Sequence, residues 1–181
     1  MNNTPKFILA SLFTLSLTPS VSASIFEDNE FSGHRVGAGY SNTDMISNNH
    51  SLDYGDGIKL EYGYDINQIF GLNVSYQNNN EKKLGTDLNG STFKVDSDIG
   101  YTFQLEGWSV KPYGSVGLAR SNEKWSYSDG DSDSYTDVSL MGGMGARANF
   151  DMGLYTDLRY DFFNVDNQDV DQLSLTVGYR F

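Results

Sequence analysis

The last nine residues, Leu173-Ser-Leu-Thr-Val-Gly-Tyr-Arg-Phe181, alternate apolar and polar without a break. Side chains of a β-strand point to opposite faces in turn, so Leu173, Leu175, Val177, Tyr179 and Phe181 share one face, and Ser174, Thr176, Gly178 and Arg180 the other. A helix of 3.6 residues per turn would scatter both sets around its surface. The same alternation recurs at 34–43, 57–66, 70–78, 92–103, 108–120, 136–149, 153–163 and 171–181. No stretch of helical period, heptad pattern or internal repeat lies between these eight segments.

The connections alternate in length. Those near 67–69, 104–107 and 150–152 are tight, whereas 44–56, 79–91 and 121–135 are long and rich in Asn, Asp, Ser and Gly, and 164–170 is intermediate. Antiparallel strands joined in this way predict an all-β fold, an eight-stranded antiparallel up-and-down barrel with both termini at the short-turn end. Alternation alone does not say which face is inside, since a lipocalin-type barrel turns its apolar face inward. The height of the aromatic residues decides. On the apolar face, Tyr62, Tyr64, Phe70, Tyr101, Phe103, Trp108, Phe150, Tyr179 and Phe181 fall at the lower rim, and Tyr40, Tyr76, Phe93, Tyr160 and Phe162 at the upper. Aliphatic residues such as Leu60, Val74, Val95, Leu118, Leu140, Leu158, Leu175 and Val177 fall between them. Rings favour a membrane interface and aliphatic chains the hydrocarbon, while a soluble core has no reason to sort them. The expected fold is therefore a transmembrane β-barrel.

The N-terminus agrees with export. Lys6, an apolar run from Phe7 to Leu17, Pro19 and the small-residue box Val21-Ser22-Ala23 predict a signal peptide over 1–23 and one barrel domain over 24–181. The run is shorter than the roughly 20 residues a membrane helix needs. There is no cysteine, hence neither a disulfide nor a lipid-modified cysteine. With 12 basic against 24 acidic residues and a net charge of −12, the chain is a poor match for nucleic acid.

The opposite strand face collects Arg35, Lys59, Lys94, Arg147, Arg159 and Arg180 with Glu61, Asp65, Asp96, Asp98, Asp157 and Asp161, interspersed with glycines. An eight-stranded barrel is just wide enough to be filled by its own side chains, so the balanced signs predict a paired interior polar network. The sharper reading of the same residues is an ion path or an active site. Pro112 lies inside the fifth strand and predicts a bulge or a late strand start there, which leaves the facing of Tyr113 open.

Catalytic and cofactor residues are not expected. His34 and His50 are the only histidines, and neither falls near the C-terminal strands where a nucleophile triad would need one. Asp129, Asp131 and Asp133 alternate like the opening of a calcium loop, but Ser134 stands where that motif wants Gly and Leu140 where it wants Glu. They are weak metal candidates, better read as a solvated acidic loop. The same loop holds Trp125, Tyr127 and Tyr135, an exposed aromatic and acidic set suited to surface interaction.

The leader, the strand count, Lys111-Pro-Tyr-Gly-Ser-Val-Gly-Leu-Ala and the final strand together resemble the small eight-stranded outer-membrane barrels of the OmpA-barrel and OmpX/Ail type, over the whole mature chain. The resemblance implies a location in the outer membrane with the short turns in the periplasm. It implies that Tyr179 and Phe181 form the signal read by the assembly machinery, and that a peptidoglycan-binding domain is missing after Phe181. The expected function is non-enzymatic: long loops displayed for adhesion or other surface interaction and envelope integrity. The alternatives are a narrow pore for ions or small solutes and a lipid A-modifying enzyme. Expected partners are outer-membrane lipid and lipopolysaccharide, the assembly machinery and a host or surface ligand, with the barrel a monomer and no cofactor bound.

Overall fold

The structure, a computed structural model, describes residues 31–47, 50–83, 86–126, 132–165 and 168–181. The leader expected over 1–23 and the loop residues Tyr127, Asp129 and Asp131 lie outside the described residues. Among the described residues there is no helix, and nine strands follow one another: β1 (Gly33–Ser47), β2 (His50–Asp65), β3 (Phe70–Lys83), β4 (Thr86–Gly100), β5 (Phe103–Leu105), β6 (Trp108–Ser126), β7 (Ser132–Phe150), β8 (Leu154–Val165) and β9 (Gln168–Arg180). All pairings are antiparallel. β1 pairs with β9, and β4 and β5 both pair with β6 in one register, Gly100 opposite Tyr113 and Phe103 opposite Val110. β5 thus continues β4 after a short interruption, and the nine segments form a closed barrel of eight strands.

The register fixes the stagger. Stepping from partner to partner, Arg35 leads to Gly63, Asn73, Asp96, Gly117, Met141, Phe163 and Val170, and then back to β1 at Met45, ten residues beyond the start. Such a stagger tilts the strands by about 40° to the barrel axis. The value is even, so every row stays on one face all the way round.

The alternation resolves as a barrel that is apolar outside and polar inside. Ile58 is 67% exposed and Leu140 77%, while Arg35 and Asp98 are fully buried. The aromatic residues of both rims lie on the outer surface, and the aliphatic residues occupy the band between them. This band faces lipid.

Short turns close the lower end. Asn67 Oδ1 accepts hydrogen bonds from the backbone N–H of Ile69 and Phe70, both at 2.8 Å, holding the β2–β3 turn. Gly107 (φ 80°) and Gly153 (φ 83°) take the left-handed conformation in the β5–β6 and β7–β8 turns, where a side chain would be strained.

Pro112 produces neither the bulge nor the late start expected of it. β6 and β7 pair in unbroken register from Trp108↔Phe150 to Ser126↔Ser132. The missing N–H is absorbed on the other side. Tyr101, opposite Pro112, falls in the interruption between β4 and β5, and Thr102 turns its N–H to Gln68 O at 3.1 Å. Continuous register puts Tyr113 on the inner face, where it is buried.

The upper end differs from a set of long irregular loops. Pairing continues to Ser47↔His50, Lys83↔Thr86, Ser126↔Ser132 and Val165↔Gln168, so most of 44–56, 79–91 and 121–135 is strand. Beyond the hydrocarbon both faces of a ribbon are wet, and a strand there needs no apolar alternation to be stable once its backbone groups are paired.

Candidate functional site

The outer wall over β3, β4, β6 and β7 reads upward in rows of cross-strand partners. Val74, Val95, Leu118 and Leu140 form a hydrocarbon row, Tyr76, Phe93, Arg120 and Val138 an interfacial one, and Asn78, Ser91, Asn122 and Thr136 a hydrophilic one. The same four strands then continue upward with their backbones paired. Asn79–Gly90–Glu123–Tyr135, Asn80–Asn89–Lys124–Ser134, Glu81–Leu88–Trp125–Asp133 and Lys82–Asp87–Ser126–Ser132 are successive rows of this upper part. From the interfacial row to the last of these is about 20 Å along the strand. β7 pairs with β8 only up to Met141↔Phe163, so among the described residues Ser132–Leu140 is paired on its β6 side alone. The product is a four-stranded sheet rising from one side of the barrel with an open edge.

Trp125, Asp133 and Tyr135, singled out from the sequence, belong to this sheet, with Trp125 directly opposite Asp133 and Tyr135 opposite Glu123. Tyr127, Asp129 and Asp131 fall in the connection between them, outside the described residues. Across segments 44–56, 79–91, 120–137 and 164–171 the sequence carries 13 acidic and 4 basic residues, so the upper end holds most of the net negative charge.

The interior is the second candidate. Among the described residues six cations, Arg35, Lys59, Lys94, Lys111, Arg147 and Arg159, are buried with six carboxylates, Glu61, Asp65, Asp96, Asp98, Asp157 and Asp161. Arg147 is the hub: it donates to Asp157 (2.8 Å), Asp65 (3.2 Å) and Asp98 (3.3 Å). Asp98 also accepts from Lys111 at 2.6 Å and from Asn73 at 3.0 Å, and Asn73 donates to Asp96 at 2.9 Å. Arg35 donates to Asp65 and Asn73, both at 2.9 Å. Higher up, Arg159 joins Asp161 (2.6 Å) to Asp96 (2.9 Å), Lys94 reaches Asp161 (2.8 Å) and Gln172, and Lys59 pairs with Glu61 (2.7 Å). Arg180 closes the lower end, partly exposed, 3.9 Å from Asp65. Above the charges Ala119, Met141, Phe163 and Val170 form a buried apolar cluster, with Lys94 Nζ 5.3 Å from the centre of the Phe163 ring.

Lys111, Asn73 and Tyr155 are interior residues that the alternation did not single out, and Gln172, on the polar face of the last strand, was not marked as a member of the network. The signal for Lys111 was present: Trp108 and Val116 both face lipid, so the odd-numbered residues between them face inward if the strand has no bulge. Asn73 and Gln172 carry no charge, and polarity alone does not separate a buried amide from an exposed one.

At the lower rim Phe181 and His34 exchange backbone hydrogen bonds of 2.7 and 2.9 Å, and the His34 ring lies among Tyr62, Tyr64 and Phe181. Residues 13–181 match the family model described as outer membrane protein beta-barrel domain. The chain belongs to this family of outer-membrane barrels. The protein is thus an outer-membrane β-barrel, and the apolar band is its lipid face. A relative in Yersinia pseudotuberculosis serotype I (strain IP32953), named attachment invasion locus protein, is 26% identical over 169 residues, covering 88% of this chain and 89% of that protein. Among solved structures, Ail of Yersinia pestis in complex with the heparin analogue sucrose octasulfate is 24% identical with a TM-score of 0.64, over 83% of this chain and 99% of that chain. Neisserial surface protein A is 21% identical with a TM-score of 0.64, over 82% of this chain and 97% of that chain. These structures establish the shared fold.

Proposed function

We propose that this barrel is a non-enzymatic surface-interaction protein that works through the sheet raised on β3, β4, β6 and β7. The observation that carries the reading is the division of the molecule. Its interior is a filled, charge-balanced network, and its projecting ribbons hold aromatic and acidic residues about 20 Å along the strand beyond the interface. A paired interior stabilises the barrel without offering an open site, whereas the open β7 edge of the raised sheet offers backbone groups to a partner, and the sequence sets Asp133 on that edge with Trp125 opposite it on β6. The attachment role in the name of the Yersinia pseudotuberculosis relative supports the same reading. The charge sets the partner's chemistry. The Yersinia pestis protein is seen with a sulfated sugar, but the upper segments of this chain are strongly acidic, which favours a cationic protein surface or a divalent ion bridging to lipopolysaccharide. Tyr179 and Phe181 serve assembly in this account, and the interior network serves stability.

Replacing Asp129, Asp131 and Asp133 together by Asn is expected to leave folding intact and to reduce attachment of expressing cells to a protein-coated surface. Trp125→Ala is expected to do the same without a change in charge. Added salt should weaken wild-type attachment. Wild-type attachment in both variants would remove the sheet from the function. Stepwise conductance in a planar bilayer would instead support the pore, and altered lipid A after expression would support an enzyme.

A further inference from the structure

β1 and β9, the first and last strands, meet at the seam that closes the barrel, and on its inner side that seam is floored by glycine. Gly37 pairs with Glu61 on one side and Gly178 on the other, and Gly178 pairs with Tyr155. The Tyr155 ring lies across this floor: a Cβ on Gly178 would stand 2.5 Å from its Cε1, and one on Gly37 only 2.3 Å from its hydroxyl. Two buried side chains meet at Gly37, the Tyr155 hydroxyl and Thr176, whose Cγ2 would be 2.9 Å from a Gly37 Cβ. Beside them are the carboxylate-bearing Glu61, paired with Gly37 across β1–β2, and the Arg35 guanidinium, which covers Gly63 and lies 5.6 Å from the centre of the Tyr155 ring. Tyr155 OH, Thr176 Oγ1, Arg35 Nη1 and both oxygens of Glu61 are buried without a hydrogen bond. Glu61 does have ion-pair neighbours, Lys59 at 2.7 Å and Arg35 at 3.5 Å.

Arg35 and Glu61 are tied to Asp65, Asn73 and Lys59 like the rest of the interior, but the five atoms left over lie together and call for a shared ligand. A buried hydroxyl left without a partner is destabilising, and this spot holds two of them. The charges choose the ligand's class. With six buried cations against six buried carboxylates, an added ion would upset the balance, whereas a neutral molecule able to donate twice and accept twice would not. Tyr155 OH and Arg35 Nη1 supply donors; Glu61 and Thr176 Oγ1 supply acceptors. From this arrangement we infer that the seam holds a structural water-binding site, in which one long-lived water joins Tyr155 and Thr176 of β8 and β9 to Arg35 and Glu61 of β1 and β2. The water fastens the closing strands where the glycines leave no side chains to do so. The inference stands apart from the surface role.

The test is water–protein NMR on the refolded full chain in lipid nanodiscs. The wild type is expected to show NOE and ROE cross-peaks of opposite sign, the mark of a long-lived water, between water and the protons of Gly37 and Thr176. Tyr155→Phe and Thr176→Val, which keep the ring and the shape, are each expected to weaken or abolish those peaks. Absence of the peaks in the wild type would overturn the site, and this result needs no variant to fold. Persistence of unchanged peaks in both variants would overturn it as well.

Discussion

Asp98 is the carboxylate counterpart of the Arg147 hub, because it serves Arg147, Lys111 and Asn73 at once with no exposed surface. Removing one member of a buried charge set leaves its partners desolvated and unpaired, at a cost of about 3–5 kcal/mol. Asp98→Ala is therefore expected to lower barrel stability by about that amount in urea unfolding from lipid vesicles. An unchanged unfolding midpoint would show that the network is loosely solvated. Most charged members of this network can be read from the sequence, because a charge on the strand face turned away from lipid has only the barrel interior to enter and must find a partner there. Tyr113 is ambiguous in sequence for one reason, the proline beside it. The structure keeps the register by interrupting the neighbouring strand between β4 and β5, an accommodation that no local pattern reveals.

At the level of elements, depth in the membrane separates two lipid-facing positions of similar chemistry. Val177 lies mid-strand in β9 between Tyr179 and Leu173, whereas Leu140 lies one row below the interfacial row of Tyr76, Phe93, Arg120 and Val138. An arginine costs about 2–4 kcal/mol at the midplane and about 0–1 near the interface. Val177→Arg should thus cost about 2–4 kcal/mol and Leu140→Arg distinctly less in the same unfolding assay. Equal effects would misplace the band. Deleting Phe181 removes both backbone hydrogen bonds to His34 and the terminal ring beside it, and is expected to reduce the amount of heat-modifiable barrel in the outer membrane. The lipid-spanning parts of the strands were legible because apolar and polar residues alternate only where one face meets hydrocarbon. Their upward extensions were not, since Asn78-Asn-Asn-Glu-Lys-Lys83 and Ser132-Asp-Ser-Tyr-Thr-Asp137 are polar on both faces and read as loop.

For the whole molecule, the division between a filled barrel and a projecting sheet makes opposite demands on two experiments. The interior packs charged side chains beneath an apolar cluster of Ala119, Met141, Phe163 and Val170, so purified barrel is expected to give no discrete conductance steps in a planar bilayer. The projecting sheet carries the proposed activity, and the barrel below it is closed by pairings that do not involve the sheet. Joining Ser121 directly to Asp137 through an Asn-Gly turn would preserve a cross-strand pair that already exists, with a turn suited to a two-residue hairpin. The most direct test compares attachment of cells displaying the full chain with cells displaying this shortened barrel, both checked for heat-modifiable folding in the outer membrane. The shortened barrel is expected to assemble normally and to lose attachment; normal assembly with undiminished attachment would contradict a surface role for the projecting sheet.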